Sequence, residues 1–211
     1  MSNGEEPAVA PLVVGIRGAR SPIALVDAGN GPVEWFDSSL GTLDGGTPAA
    51  ARFELIATAV APYRDTCERL AAACRAGEIE SWAAFAGAES RAFVRSRDAA
   101  ATGPAVRRVS LHCSIAGITI AEYRRIFATH LIVTRDHMAA AWRYRQTDVS
   151  HRDGPLAWAV DGISEFWFST TDDLADPYSG DSDAKAAVQA DSKLFVDSRT
   201  AVTLSGIERD Q

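Results

Sequence analysis

The side chains best suited to proton transfer are histidines, and all four lie in the second half of the chain. His130 is the strongest candidate for a general base. Tyr123, His130 and His137 recur at seven-residue spacing, so they share one stripe of a predicted helix. Ile126 and Phe127 place that stripe at the border of the apolar face. The alternative for His130 is a structural role at the helix end. Imidazole groups in general titrate near neutral pH, which suits a histidine to acid/base chemistry.

His112 is a second candidate, on a predicted strand with alternating polar and apolar residues. One face of this strand carries Val109, Leu111 and Cys113, while His112 is on the other. If the apolar residues pack against helices, His112 points into the inside of a curled sheet. There it could bind a ligand or move a proton, and a hydrogen-bonded structural histidine is the alternative.

Glu165 is the third candidate, because the strand ISEFWFS places this carboxylate among aromatic residues. Glu165 and Trp167 share one face of the strand, and its two phenylalanines share the other. A buried carboxylate must be hydrogen-bonded or have a raised pKa, and either condition suits an acid/base group. The alternative is an ion pair or hydrogen bond to Arg143, Arg145 or Tyr144 on the neighbouring strand.

Further aromatic side chains could line a substrate pocket. Trp142 and Tyr144 lie on one predicted strand and could join Trp167, with Tyr123 and His137 as further contacts, whereas a core role is the alternative. His137 and the histidine one heptad before it are about 10 Å apart by helical rise, too far to share a metal ion. Phosphate-binding loops, serine nucleophile elbows and HExxH motifs are lacking. We therefore expect no metal site and no cofactor.

Composition excludes several classes of partner. The 211 residues include 21 Lys and Arg against 28 Asp and Glu, without a basic patch that would bind nucleic acid. Neither a signal peptide nor an apolar run of membrane-spanning length is found, so no membrane association is expected. Three cysteines without a CxxC pair indicate reduced thiols and a cytoplasmic protein.

Hydrophobic periodicity predicts an α+β chain. In the first half we expect strands at 12–16, 32–37, 51–60 and 91–96, and a helix at 62–75. The second half has the order β-α-β-β-α-β, with strands at 107–115, 142–146, 163–169 and 200–206. Its helices are expected at 119–138 and 184–195, the first opened by a capping box of Thr119 and Glu122. Residues 151–155 and 172–183 are expected as loops.

Residues 106–208 resemble the EthD family. The resemblance is carried by His112 on the first strand and by the segments TIAEYRRIFATHLIV, WRYRQ, DGISEFWFS and SKLFVDS. It implies a ferredoxin-like fold whose sheets pair two at a time into a dimeric α+β barrel, and His130 matches the histidine that the family usually keeps near the end of its helix. Relatives of this barrel include cofactor-free monooxygenases, polyketide cyclases, decarboxylases, dehydratases and haem-degrading enzymes.

The first half can be aligned on the second, with Glu54 against Glu165 and Phe85 against Phe195 at a nearly constant offset. This alignment suggests a tandem duplication, and chance similarity competes with it. We expect a degenerate ferredoxin-like half at 1–103 and an EthD-like half at 104–211. Together they would form a ferredoxin-like tandem repeat, an intramolecular dimeric α+β barrel with the active cavity inside it. Further association into a homodimer stays open.

These residues favour a small cofactor-independent enzyme, a lyase, cyclase or monooxygenase, that acts on a hydrophobic aromatic or polyketide-like molecule. His130, His112 and Glu165 would be catalytic, in cyclisation, decarboxylation, elimination or oxygenation. The first alternative is a non-catalytic binder of a hydrophobic ligand. The second is a haem-binding protein with His130 or His137 as the axial ligand.

Overall fold

The computed structural model describes residues 10–18, 34–37, 53–98 and 102–208. Its strands are β1 (Ala10–Arg17), β2 (Glu34–Asp37), β3 (Leu55–Ala61), β4 (Ser81–Val94), β5 (Val106–His112), β6 (Ala141–Asp153), β7 (Gly162–Phe168) and β8 (Val202–Ile207). Its helices are α1 (Tyr63–Arg75), α2 (Ile120–His137), α3 (Thr171–Ala175) and α4 (Ser182–Ser192). The first two residues of the strand expected at 32–37 and of the strand expected at 51–60 lie outside the described residues.

The strands form one antiparallel sheet in the order β2-β3-β1-β4-β6-β7-β5-β8. Within β1–β4 and again within β5–β8, the spatial order is fourth, first, third, second, which is the ferredoxin-like order. Pairing of β4 with β6 joins the two sets, and β2 approaches β8 at the far ends of the curled sheet. The predicted fold class, an α+β ferredoxin-like tandem repeat that forms an intramolecular barrel, is confirmed.

The two faces of the sheet bury different sets of residues. The inner face carries an apolar cluster to which both halves contribute, including Val13, Ile56, Phe85, Val109, Leu111 and Ile163. On the outer face, α1 covers the first four strands, and α2 and α4 cover the last four. The strands therefore have apolar residues at alternate positions toward the barrel interior, and the positions between them face the helices.

Several element boundaries differ from those expected. β4 begins at Ser81 instead of residue 91, because pairing with β1 and β6 on both sides stabilises an alanine-rich segment of weak strand propensity. β6 extends to Asp153, so His151 lies in a strand and not in a loop. The acidic loop contains α3, which Thr170 caps by accepting from the Asp173 N–H at 3.1 Å.

The residue-by-residue alignment of the two halves is wrong. Glu54 is exposed and precedes β3, whereas Glu165 is buried in the middle of β7. Phe85 lies inside the barrel, while Phe195 follows α4 and packs against α2. The likeness of the halves is thus one of strand order and not of individual side chains.

The helix that carries the histidine stripe begins as predicted. Thr119 is its N-cap, and the Thr119 hydroxyl accepts a hydrogen bond from the Glu122 N–H at 3.1 Å. The helix buries Tyr123, Phe127 and His130 against the sheet and α4. Nowhere in the described ranges is a helix long and apolar enough to cross a membrane.

Candidate active site

The outer face of β5, β7 and β8 is unusually polar where α2 and α4 cover it. Adjacent strands place Arg108 opposite Ser205 and Ser110 opposite Thr203, and Ser110 and Thr203 share a hydrogen bond at 3.0 Å. His112 belongs to the same face, because Val109 and Leu111 point into the barrel. The expectation that His112 points into the barrel is therefore wrong. The apolar residues of β5 pack against the other half of the barrel and not against the helices.

A cavity of about 190 Å³ lies between this polar face and the helices. We call it the helix-side cavity, and its lining includes Arg108, His112, His130, Ser164, Phe166 and Phe195. Polar groups converge from the sheet, while aromatic and aliphatic side chains enclose the rest. His112 and His130 thus line a cavity between the sheet and its helices, and not the predicted cavity inside the barrel.

His130 reaches this cavity from α2 as a buried side chain held by α4. Its Nδ1–H donates to Asp191 Oδ2 at 2.6 Å, since a carboxylate can only accept. The ring of Phe195 contacts the imidazole edge-on at 5.1 Å between centroids. The carboxylate therefore fixes both the tautomer and the ring orientation, and Nε2 is the nitrogen left for proton transfer.

His112 is held on both ring nitrogens. The Tyr123 hydroxyl has no other hydrogen-bond partner among the described residues, so it donates to His112 Nδ1 at 3.0 Å. The opposite nitrogen, Nε2–H, faces the Ser164 hydroxyl at 3.4 Å. Burial, with a smaller contribution from His130, lowers the pKa of His112 to about 3. His112 is therefore a neutral imidazole at neutral pH.

Ser164 is the point where two hydrogen-bond chains meet. Gln146 donates to the Tyr144 hydroxyl at 3.0 Å, and the Tyr144 and Ser164 hydroxyls share a hydrogen bond at 3.1 Å in which either oxygen can donate. His112 approaches the same oxygen from the other side. When Tyr144 and His112 both donate to Ser164 Oγ, the Ser164 hydroxyl proton is left to donate to a molecule in the helix-side cavity.

Gly162 permits the close packing behind this network. A Cβ at this position would come 2.0 Å from the Tyr123 hydroxyl oxygen and 3.0 Å from His112 and Phe127. We predict that Gly162→Ala lowers the free energy of unfolding by about 1–3 kcal/mol, the usual cost of overpacking. Urea denaturation measures this loss, with Gly103→Ala as the control because open space surrounds Gly103. Equal stability of the two variants would contradict the packing.

Glu165 lies on the other face of the sheet, inside the barrel. It is buried between Arg107 Nη2 at 2.8 Å and Arg145 Nε at 2.6 Å. Burial alone would raise the pKa of Glu165, but these guanidinium groups outweigh it and hold the pKa below its ordinary value. Glu165 therefore stays ionised, and the structure places it with arginines, across the sheet from His112 and His130.

Trp167 and the ion pairs around it close the barrel. The Trp167 ring lies between the guanidinium groups of Arg107 at 4.4 Å and Arg143 at 4.2 Å, and its N–H donates to Glu208 at 2.9 Å. Glu34 of β2 pairs with Arg107 at 3.4 Å and with Arg143 at 3.2 Å. These contacts join the first strands of the sheet order to the last.

The predicted aromatic set is also divided by the sheet. Tyr144 is buried on the helix side, stacked on Phe166 at 4.5 Å, so it cannot share a pocket wall with Trp167. Trp142 lies at a bulge in β6, beside Arg97 at 5.9 Å. His137 is the exposed last residue of α2, because the helix extends past the cavity. Tyr123 contributes to the site by its hydrogen bond to His112.

Three residues of the site, Arg108, Ser164 and Asp191, were not predicted from the sequence. Arg108 continues the alternation of Ser110 and His112 on β5, so extending that pattern by one step would have found it. Asp191 is on a different helix from His130, 61 residues away, and no local pattern joins them. In the parts of the chain that the structure describes, no group of three metal-ligating side chains converges.

The backbone is similar to several solved structures. An anthrone oxidase-like protein matches with a TM-score of 0.63 at 8% identity, covering 97% of this chain and 93% of that one. Chlorite dismutase from Candidatus Nitrospira defluvii, a variant in complex with cyanide, matches at 0.54 and 12%, covering 100% and 96%. A candidate monooxygenase from Lactobacillus acidophilus NCFM matches at 0.52 and 5%, covering 96% and 94%. The chain has the α+β barrel fold.

These identities are low enough that the similarity concerns the fold alone. No known family model matches the chain, and no curated protein matches its sequence. The barrel class implied by the EthD resemblance agrees with these neighbours, while EthD membership itself stays a prediction.

Proposed function

We propose that the helix-side cavity is the active site of an oxygenase-like enzyme that acts on a small aromatic molecule by acid/base chemistry. The observation that carries this proposal is the hydrogen bond between His130 and Asp191 at 2.6 Å, at the edge of the helix-side cavity. A base held by a carboxylate and a hydroxyl donor held by two neighbours are the parts that proton abstraction next to a carbonyl requires. The EthD resemblance and the names of the structural neighbours are consistent with it.

In this proposal, His130 Nε2 removes a proton from a carbon that is activated by a carbonyl and an aromatic ring. The Ser164 hydroxyl donates to the carbonyl oxygen as negative charge develops on it, which lowers the energy of the enolate. His112 acts as a positioning residue, because it holds Ser164 while staying neutral. Asp191 stabilises the imidazolium that forms.

Among reactions that begin with this proton transfer, the names of the structurally similar proteins favour oxygenation. The enolate carbon would pass electrons to dioxygen, combine with it, and lose water after protonation. With anthrone as the substrate, the methylene carbon loses four electrons and both hydrogens, dioxygen supplies the new carbonyl oxygen, and the other oxygen atom leaves as water. Dioxygen is the oxidant, so the balance requires no bound redox group.

We predict that His130→Gln lowers the rate of anthrone oxidation by about 100-fold or more, as expected for loss of a general base. The measurement is oxygen uptake and anthraquinone formation under air, with His137→Gln as a matched control from the exposed end of the same helix. The control should retain full activity. Equal activity of both variants would remove His130 from the mechanism, and a bound ligand that is returned unchanged would favour a non-catalytic binder.

Haem binding is a second candidate that one observation favours. A histidine ligand usually donates its other ring N–H to a carboxylate, as His130 does to Asp191. The helix-side cavity, at about 190 Å³, is smaller than ligand pockets of roughly 300–1,000 Å³, so α2 and α4 would have to separate. A Soret band on titration with haemin that is lost in His130→Ala would support this candidate, and exposed His137 would not substitute.

A further inference from the structure

Among the residues that the structure describes, no carboxylate pairs with Arg108, which sets it apart from its neighbour in sequence. Arg107 is paired with Glu165 inside the barrel, whereas Arg108 points to the helix side. The guanidinium of Arg108 lies over Phe166 at 4.4 Å and Phe168 at 5.5 Å, and its Nη2 approaches Met138 Sδ at 3.7 Å. Its Nε is shut off from solvent and has no hydrogen-bond partner among the described residues.

A second unsatisfied polar group lies directly beside it. Ser205 pairs with Arg108 across β5 and β8, is 1% exposed, and has a hydroxyl without a hydrogen-bond partner in the described ranges. Leaving a buried donor unsatisfied costs about 1–3 kcal/mol. Arg108 and Ser205 lie side by side on adjacent strands, so one bound acceptor could interact with both residues.

Both groups line a pocket of about 440 Å³ between β5, β8 and the segment around α3. We call it the α3 pocket, and its lining also includes Leu174, Asp176, Tyr178 and Lys185. Arg108 and Tyr178 line the helix-side cavity as well. A ligand anchored at Arg108 can therefore extend from the α3 pocket toward His130.

We infer that Arg108, Ser205 and Lys185 bind a carboxylate of the substrate, so that the enzyme acts on aromatic carboxylic acids. This inference rests on the proposed function, since it names the substrate class of that site. A guanidinium binds a carboxylate through two parallel N–H donors, and the serine hydroxyl adds a third. Phe166 and Leu174 offer the apolar contact that the ring of such an acid requires.

Local charge favours one negative charge on the ligand. Arg108 and Lys185 bring two positive charges to the α3 pocket, and Asp176 brings one negative charge. The remaining single positive charge matches a carboxylate and is too small for a phosphate dianion. A neutral aromatic molecule would leave the Arg108 guanidinium without a counter-charge.

The test compares three probes of the same shape: 2-naphthoate, 2-naphthyl phosphate and neutral 2-naphthalenemethanol. We expect the wild-type protein to bind naphthoate about 10- to 100-fold more tightly than the neutral alcohol in isothermal titration calorimetry. Arg108→Met should remove this preference and leave binding of the alcohol unchanged. Lys185→Met should weaken it, while Lys193→Met, an exposed cation farther along α4, should not.

Three outcomes would overturn the inference. They are equal affinity for naphthoate and the alcohol, a preference that survives in Arg108→Met, and tighter binding of the phosphate. If Arg108→Met does not fold, the affinities of Ser205→Ala and Lys185→Met for naphthoate and for the alcohol test the inference instead. All titrations are repeated in His130→Gln, so that anion binding without turnover separates this inference from the proposed function.

Discussion

Glu165→Gln should lower the free energy of unfolding by about 3–5 kcal/mol, because it leaves two buried guanidinium groups facing a neutral amide. Arg107 and Arg145 both contact this carboxylate within 2.8 Å. The amide keeps the size of the side chain, so the loss reports charge and hydrogen bonding and not a cavity. Urea denaturation at neutral pH measures it.

The matched control is Glu80→Gln, which breaks an ion pair with Arg17 at the protein surface. Exposed pairs contribute about 0–1 kcal/mol, so this variant should be close to the wild type. Because the folded pKa of Glu165 is depressed, its contribution is present above the unfolded pKa and is lost as pH falls through the folded pKa. The difference between wild type and Glu165→Gln should therefore shrink in acid, and a constant difference would contradict the ion pairs.

Mild acidification should destabilise the protein through His112. The folded pKa of His112 is about 3 against an ordinary 6.5. Below about pH 6.5 the unfolded chain therefore binds a proton that the folded chain does not bind, and the free energy of unfolding falls. At 1.36 kcal/mol per pH unit, the loss between pH 6.5 and about pH 5 is roughly 2 kcal/mol. The groups that face this imidazole are His130 of α2, the Tyr123 phenol and the Ser164 hydroxyl.

His112→Gln should flatten this dependence, since glutamine can replace the hydrogen bonds without titrating. Urea midpoints of wild type and His112→Gln are compared at about pH 7 and pH 5. His137→Gln is the control, because His137 is exposed at the end of α2. The control should keep the wild-type dependence. A His112→Gln protein that loses as much stability in acid as the wild type would show that another group is responsible.

The fold was accessible from the sequence because its signals are local. The capping threonine of α2, the alternation along β7 and the apolar spacing of α1 each determine an element without help from the rest of the chain. β4 was only partly predicted, since its alanine-rich first half becomes a strand through pairing with β1 and β6. Strand order followed from the resemblance and not from any one segment.

The site was harder to predict from the sequence. Alternation along a strand assigns residues to two faces, but it does not tell which face points into the barrel and which points to the helices. Val109 and His112 were correctly placed on opposite faces of β5, but both faces of this sheet are covered, one by the other half of the barrel. The direction depends on packing between distant segments. The same holds for Asp191, which meets His130 only after α4 folds over α2.

Both halves of the barrel belong to one polypeptide, which removes a constraint that a symmetric pair of subunits would impose. In a homodimer, any substitution appears twice, so a reactive residue gained on one side is also gained on the other. Here the four histidines all belong to the second half of the sequence, while the described part of the first half packs α1 on its strands through a mainly apolar cluster. Covalent linkage of the halves thus allows one half to change its side chains without the same change in the other.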